Sequence, residues 1–214
     1  TRKESSAASD VYKRQTLKNA SLMGKFNLNI YKITHMKNTW YYLGLLIILI
    51  GCNSSNLSTE KPISDKEEEF KTLLDKDWFL SSSKTAKSGM ELSKKGISKK
   101  TWVSTEVPNT VLASLVSAGI YKDIYTGMNM KNIPTDQFKN SWIYYKEFNW
   151  NKNKGENVAL DLDGINYRAN IWLNGAQIAD TSTIFGVYKQ YEIDITAILS
   201  DENKLVIEAV SYTH

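Results

Sequence analysis

Between Tyr121 and Asn129 the chain reads YKDIYTGMN, which gathers the carboxylate of Asp123, the amide of Asn129, the hydroxyls of Tyr121, Tyr125 and Thr126, and a glycine. Such groups pair with the hydroxyls of a polyol ligand, and a loop on a rigid scaffold is where a fold displays them. Asp123 and Asn129 are therefore candidate substrate-binding residues. Trp142, a little further on, is a candidate stacking platform for a ligand's apolar face. Each has a plainer alternative: Asp123 and Asn129 could satisfy loop backbone groups, and Trp142 could belong to the core.

Other chemistries are excluded by what the chain lacks. Its histidines are His35 and His214, and its single cysteine is Cys52. The stretch DVYKRQ (Asp10–Gln15) and the terminal VSYTH (Val210–His214) can be encoded by opposite strands of one short DNA element. Residues 1–15 and 210–214 are thus expected to be translated adapter, and 16–35 upstream DNA outside the natural reading frame. With both histidines in those segments, a His/Cys metal site, a Ser-His-Asp triad and a disulfide are excluded from the rest. No cofactor is implied.

The formal charge of +4 follows the same division. Residues 1–35 carry 7 Lys or Arg against 2 Asp or Glu, and the remainder carries 20 against 21. The basic balance therefore gives no support for a nucleic-acid partner.

From Met36 the sequence MKNTWYYLGLLIILIGC has a short charged start, an apolar run from Trp40 to Ile50, and Gly51 before Cys52. The form is that of a secretory signal, and the run is short of the ~20 apolar residues a spanning helix needs. Leu49-Ile50-Gly51-Cys52 resembles a lipoprotein box, in which the cysteine is acylated and becomes the new N-terminus. Residues 36–52 are expected to be a lipoprotein signal, Cys52 the lipidation site, and 53–65 a polar tether. The expected location is a bacterial cell envelope, anchored to a membrane.

Residues 66–209 have the length of one domain. Lys66–Leu74 is expected as a short helix leading into a first strand, Asp77–Leu80, with a second at Thr101–Val107. Thr110 is placed to cap a helix over Val111–Ala118 that Gly119 closes. From Ser141 the pattern is that of strands. Val158, Leu160 and Leu162 alternate with polar positions, and Ala169, Ile171 and Leu173 share one face opposite Arg168 and Trp172. Asn174-Gly175 is a hairpin turn with Ala176–Ala179 as its return arm. YEIDIT and NKLVIEA read as two further strands joined by a tight turn, with Asp194 as a turn-forming acceptor. The fold class is all-β, a sandwich.

Three stretches together carry a resemblance: EVPNTVLASLVSAGIYKDIYTGMN (Glu106–Asn129), WIYYKEF (Trp142–Phe148), and LDLDGINYRANIWLNGAQIAD followed by the spaced Gly186, Tyr188 and YEIDIT. They resemble the N-terminal jelly-roll, galactose-binding-domain-like module of glycoside hydrolase family 2, on the branch of exo-β-glucosaminidases and β-mannosidases. The resemblance implies a jelly-roll β-sandwich, here truncated at its C-terminal edge. It implies a retaining exo-β-glycosidase acting on a β-linked oligosaccharide or glycoconjugate, with Asp123 and Asn129 at the rim of the sugar pocket and Trp142 stacking on the apolar face of a pyranose. The two catalytic glutamates of such enzymes lie on a downstream TIM barrel, beyond an immunoglobulin-like domain, with carboxyls ~5–5.5 Å apart. No residue here matches either glutamate, so this stretch alone is expected to be inactive. The competing reading is a non-catalytic, glycan-binding surface lipoprotein on a similar sandwich.

Overall fold

The computed structural model describes residues 28–33 and 71–210, apart from 152 and 154. Cys52, the signal segment and the tether lie outside the described residues. Two antiparallel sheets pack face to face. One has four strands in the order β2 (Lys71–Leu73), β1 (Leu28–Ile33), β6 (Asn157–Leu162) and β9 (Tyr191–Asp194). The other has six, in the order β4 (Val103–Thr105), β3 (Trp78–Ser82), β5 (Trp142–Asn149), β10 (Glu202–Val210), β7 (Arg168–Leu173) and β8 (Ala176–Ala179). The all-β sandwich expected from the strand pattern is the observed architecture.

Strand alternation explains the core. Trp142, Tyr144 and Phe148 of β5, Leu205, Ile207 and Ala209 of β10, and Ala169, Ile171 and Leu173 of β7 all point inward. They meet Val158, Leu160 and Leu162 of β6 in one apolar cluster, because successive residues of a strand face opposite sides. The other parity of the six-stranded sheet is covered as well. Ile143, Tyr145 and Val206 pack with Leu92, Trp102 and Trp172 in a second cluster, beneath the segment that follows β3. That segment contains helix α1 (Gly89–Lys95), capped by Ser88, whose Oγ accepts from the Glu91 amide at 3.3 Å.

The Asn174-Gly175 turn has positive φ at both positions, 51° and 89°, as a two-residue hairpin of the primed type requires. Its side chain also organises the sheet edge. Asn174 Nδ2 donates to Ile198 O at 2.9 Å and to Asn203 Oδ1 at 2.8 Å, while its Oδ1 accepts from the Lys204 amide at 2.9 Å. Asp194 Oδ1 accepts from the Thr196 amide at 2.9 Å, the turn-forming role expected of it.

Two local expectations differ from the structure. The described end of Lys66–Leu74 is strand β2, not helix, because its backbone pairs with β1. The strands of YEIDIT and NKLVIEA are not hairpin partners: β9 pairs with β6 in one sheet and β10 with β5 and β7 in the other. Val210, expected in adapter sequence, ends β10 opposite Arg168. Leu28–Ile33, expected upstream of the protein, registers along β6 from Leu28↔Leu162 to Ile33↔Asn157 and along β2, with Ile30 fully buried. A strand in that place satisfies the backbone groups of both neighbours, which would otherwise form open edges.

Candidate functional site

The loop that carries Asp123 and Asn129 is fixed at both ends by ordinary helix and strand chemistry. It follows α2 (Val111–Ser117), where Thr110 Oγ1 accepts from the Ala113 amide at 3.1 Å. The helix ends as expected at Gly119, whose φ of 74° lets the chain reverse. The Ile120 amide donates to Leu115 O at 3.0 Å and the Gly119 amide to Val116 O at 2.9 Å, a Schellman closure. The far end of the loop is Trp142, the first residue of β5.

Between these ends the loop folds on itself over buried anchors, Ile124, Ile133 and Phe138. The Thr126 amide donates to Asp123 O at 2.9 Å, and Asn129 Nδ2 donates to the same carbonyl at 3.0 Å. Asn129 opens a one-turn helix, α3 (Asn129–Asn132). Gln137 Nε2 donates to the Tyr121 hydroxyl and, at 3.0 Å, to Pro134 O. Just beyond, Lys139 lies 2.5 Å from Asp136 and holds that carboxyl below its usual range.

The sequence-derived candidates therefore divide. Asp123 and Asn129 are brought together, both exposed, but the Asn129 amide is used to close the loop on the Asp123 backbone. The Asp123 carboxylate is at the surface on a residue with φ of 49°. Trp142 is corrected: it is 6 % exposed in the core, with Nε1 donating to Gln137 O at 3.2 Å. Its ring cannot receive a pyranose in this arrangement. The inward parity of Trp142, Tyr144 and Phe148 along β5 is the sequence signal that places it there.

Among the described residues the two most exposed aromatic side chains are Tyr125 and Tyr188. Trp142 pairs with Ala209, Val210 pairs with Arg168, and Arg168 bridges Phe185, which places the 185–190 loop at the same end. Tyr125 is 88 % exposed and Tyr188 is 94 % exposed. The 185–190 loop is itself tied down. Tyr191 Oη donates to Phe185 O at 2.5 Å, and Lys189 Nζ lies 4.7 Å from the Phe185 ring centre and 5.1 Å from that of Tyr191.

A separate cleft of about 330 Å³, lined by Lys76, Asp77, Ser104, Thr105, Glu106 and Asn109 with Ser117, opens at the other end of β3 and contains none of the candidates. Lys146 reaches that end, donating to Lys76 O at 2.7 Å, and burial lowers its pKa. Among the described residues no group of three or more His, Cys, Asp or Glu is placed to hold a metal ion. Among them, too, no helix is long and apolar enough to cross a membrane.

The strand order defines the class: a two-sheet antiparallel β-sandwich. Residues 78–214 match the family described as glycosyl hydrolase 2 galactose-binding domain-like, and the chain belongs to that family. An exo-β-D-glucosaminidase from Hypocrea virens is 35 % identical over 136 residues, and one from Amycolatopsis orientalis is 30 % identical over 120. A mannosylglycoprotein endo-β-mannosidase from Lilium longiflorum is 31 % identical over 108. These matches cover 62 %, 56 % and 48 % of this chain but only 15 %, 12 % and 11 % of the relatives. Among solved structures, the exo-chitosanase of Amycolatopsis orientalis superposes with a TM-score of 0.60 at 27 % identity, over 65 % of this chain and 16 % of that one.

Proposed function

We propose that this chain is the N-terminal accessory domain of a retaining exo-β-glycosidase of the glucosaminidase or mannosidase type, secreted and held at a membrane through Cys52, so that processing would remove residues 1–51 and with them the strand Leu28–Ile33. The observation that carries the reading is the family match over 78–214, together with relatives named exo-β-D-glucosaminidase and endo-β-mannosidase. Because the chain spans about 15 % of the length of such a relative, hydrolysis belongs to the whole protein. Its two glutamates act there from a barrel, one protonating the glycosidic oxygen and the other attacking the anomeric carbon.

The domain's own contribution is at the rim of the sugar pocket. Asp123 presents a carboxylate from a loop whose backbone is held by Thr126 and Asn129. A carboxylate suits an amino sugar, because a charge-assisted hydrogen bond is about twice as strong as a neutral one. Asn129 acts mainly as a positioning residue, keeping the Asp123 turn closed.

The test uses the complete enzyme with nitrophenyl β-D-glucosaminide and β-D-mannoside. Asp123→Ala should lower kcat/KM about tenfold or more on the amino sugar, since loss of a charged hydrogen bond costs ~1.5–3 kcal/mol. The loss on the neutral sugar should be much smaller, and equal losses on both would refute a charge-specific role. Asn129→Ala should impair both substrates together.

A further inference from the structure

Residues 84–100 carry six lysines, Lys84, Lys87, Lys94, Lys95, Lys99 and Lys100, against one acid, Glu91. All six are exposed; on α1, Lys94 and Lys95 face out because Gly89, Leu92 and Ser93 turn inward onto the outer face of the six-stranded sheet. The segment has a net charge of +5, whereas the other residues of 71–210 sum to −4. The domain is thus electrically polarised, with one lysine-bearing face.

The few acids that meet this face leave it positive. Glu91 is shared by Lys87 at 2.9 Å and Lys95 at 3.2 Å, Glu147 is held by Lys99 at 2.8 Å, and Lys84 acts on Asp136. Among the described residues Lys94 and Lys100 enter no ion pair. The platform beneath is rigid. The Gly175 amide donates to Ser93 Oγ at 3.1 Å, the Trp172 ring lies against Gly89, and Trp102 packs at 6.2 Å from Tyr145.

We propose that this lysine face docks on an anionic lipid surface. The inference rests on the anchoring reading above: a lipidated Cys52 followed by the short tether 53–65 would hold the domain beside a membrane. Near an anionic membrane each lysine contributes about 1 kcal/mol, within a screening distance of roughly 8–10 Å. A chain held by its tether meets that surface repeatedly, and the polarised face selects one orientation.

The test separates docking from anchoring. The whole chain carrying Cys52→Ser, which cannot be lipidated, is sedimented with vesicles of phosphatidylcholine alone or with about one third phosphatidylglycerol. Any partition of the apolar segment 40–50 is common to both vesicle types. Binding to the anionic vesicles should exceed that to neutral ones by at least tenfold at low salt and collapse near 0.5 M salt, by order of magnitude of the screening. Lys84→Glu/Lys94→Glu/Lys100→Glu should abolish the excess, whereas the same charge change at Lys122, Lys131 and Lys189 should leave most of it.

Equal loss in both triple variants would overturn the proposal, since net charge alone would then account for binding. So would retention on soluble dextran sulfate with no excess on anionic vesicles. Membrane fractionation and mass of the wild-type chain in a bacterial host test the anchor independently, so failure of one reading is distinguishable from failure of the other.

Discussion

Gly89 gives the sharpest test of how the lysine-bearing segment is fastened to the sheet. A Cβ built on Gly89 would lie 2.2 Å from Cε3 and 2.3 Å from Cζ3 of Trp172, where carbon atoms prefer ~3.5–4.0 Å. In Gly89→Ala the indole or the helix must therefore retreat by more than ~1 Å. Two effects oppose each other. Alanine improves helix propensity by up to ~1 kcal/mol over glycine, and overpacking a filled site costs ~1–3 kcal/mol. The contacted atoms are in the middle of a ring that is itself packed in the second apolar cluster, so the clash wins. The net loss should be ~1–2 kcal/mol, which in a domain of this size lowers the thermal midpoint by roughly 3–8 °C. The measurement is calorimetry of four proteins: wild type, Gly89→Ala, Trp172→Ala and the double variant. With the indole gone the methyl has room and only the propensity gain remains, so Gly89→Ala should become neutral or stabilising. An equal loss in both backgrounds, or no loss in the first, would refute the contact.

Other outcomes follow from the same structure. Asn174→Ala removes three hydrogen bonds around the buried Asn203 and should cost about 2–3 kcal/mol, read as a lower denaturant midpoint at unchanged slope. In the unprocessed chain, Ile30→Asp puts a carboxylate at a fully buried position of β1 and should lower the thermal midpoint by several degrees; an unchanged midpoint would remove Leu28–Ile33 from the native sheet. Glu147 is held below its ordinary pKa by hydrogen bonds from Lys99 and then Tyr145. Its folded pKa is the depressed one, so its stabilisation is complete above the usual 4.5 and is lost as pH falls through the lower folded value. The stability gap between wild type and Glu147→Gln should accordingly be widest near neutrality and close as the pH drops below 4.5, measured by thermal melts across that range.

Features that depend on neighbours along the chain can be read without the fold. Thr110 and Gly119 bound α2 because a cap and a left-handed closure are local chemistry, and Asn174-Gly175 makes the β7–β8 turn for the same reason. The inward faces of β6 and β7 are legible because alternation has period two. The quoted stretches from Glu106 to Thr196 were enough to indicate the family, and Asp123 and Asn129 fall together because they share one short loop.

Pairing and depth, by contrast, emerge with the folded chain. Local pattern calls β9 and β10 strands but cannot say that they join different sheets, since partners are set by long-range burial and backbone pairing. Nor does composition distinguish a tryptophan at a loop's end from one in a core. Trp142 is buried and Tyr125 and Tyr188 are exposed because β5 continues under the loop that precedes it, whereas the other two sit where no element covers them. The lysines of 84–100 are visible in the sequence, but only the docking of Gly89 on Trp172 and of Ser93 on Gly175 gathers them on one face of the sandwich.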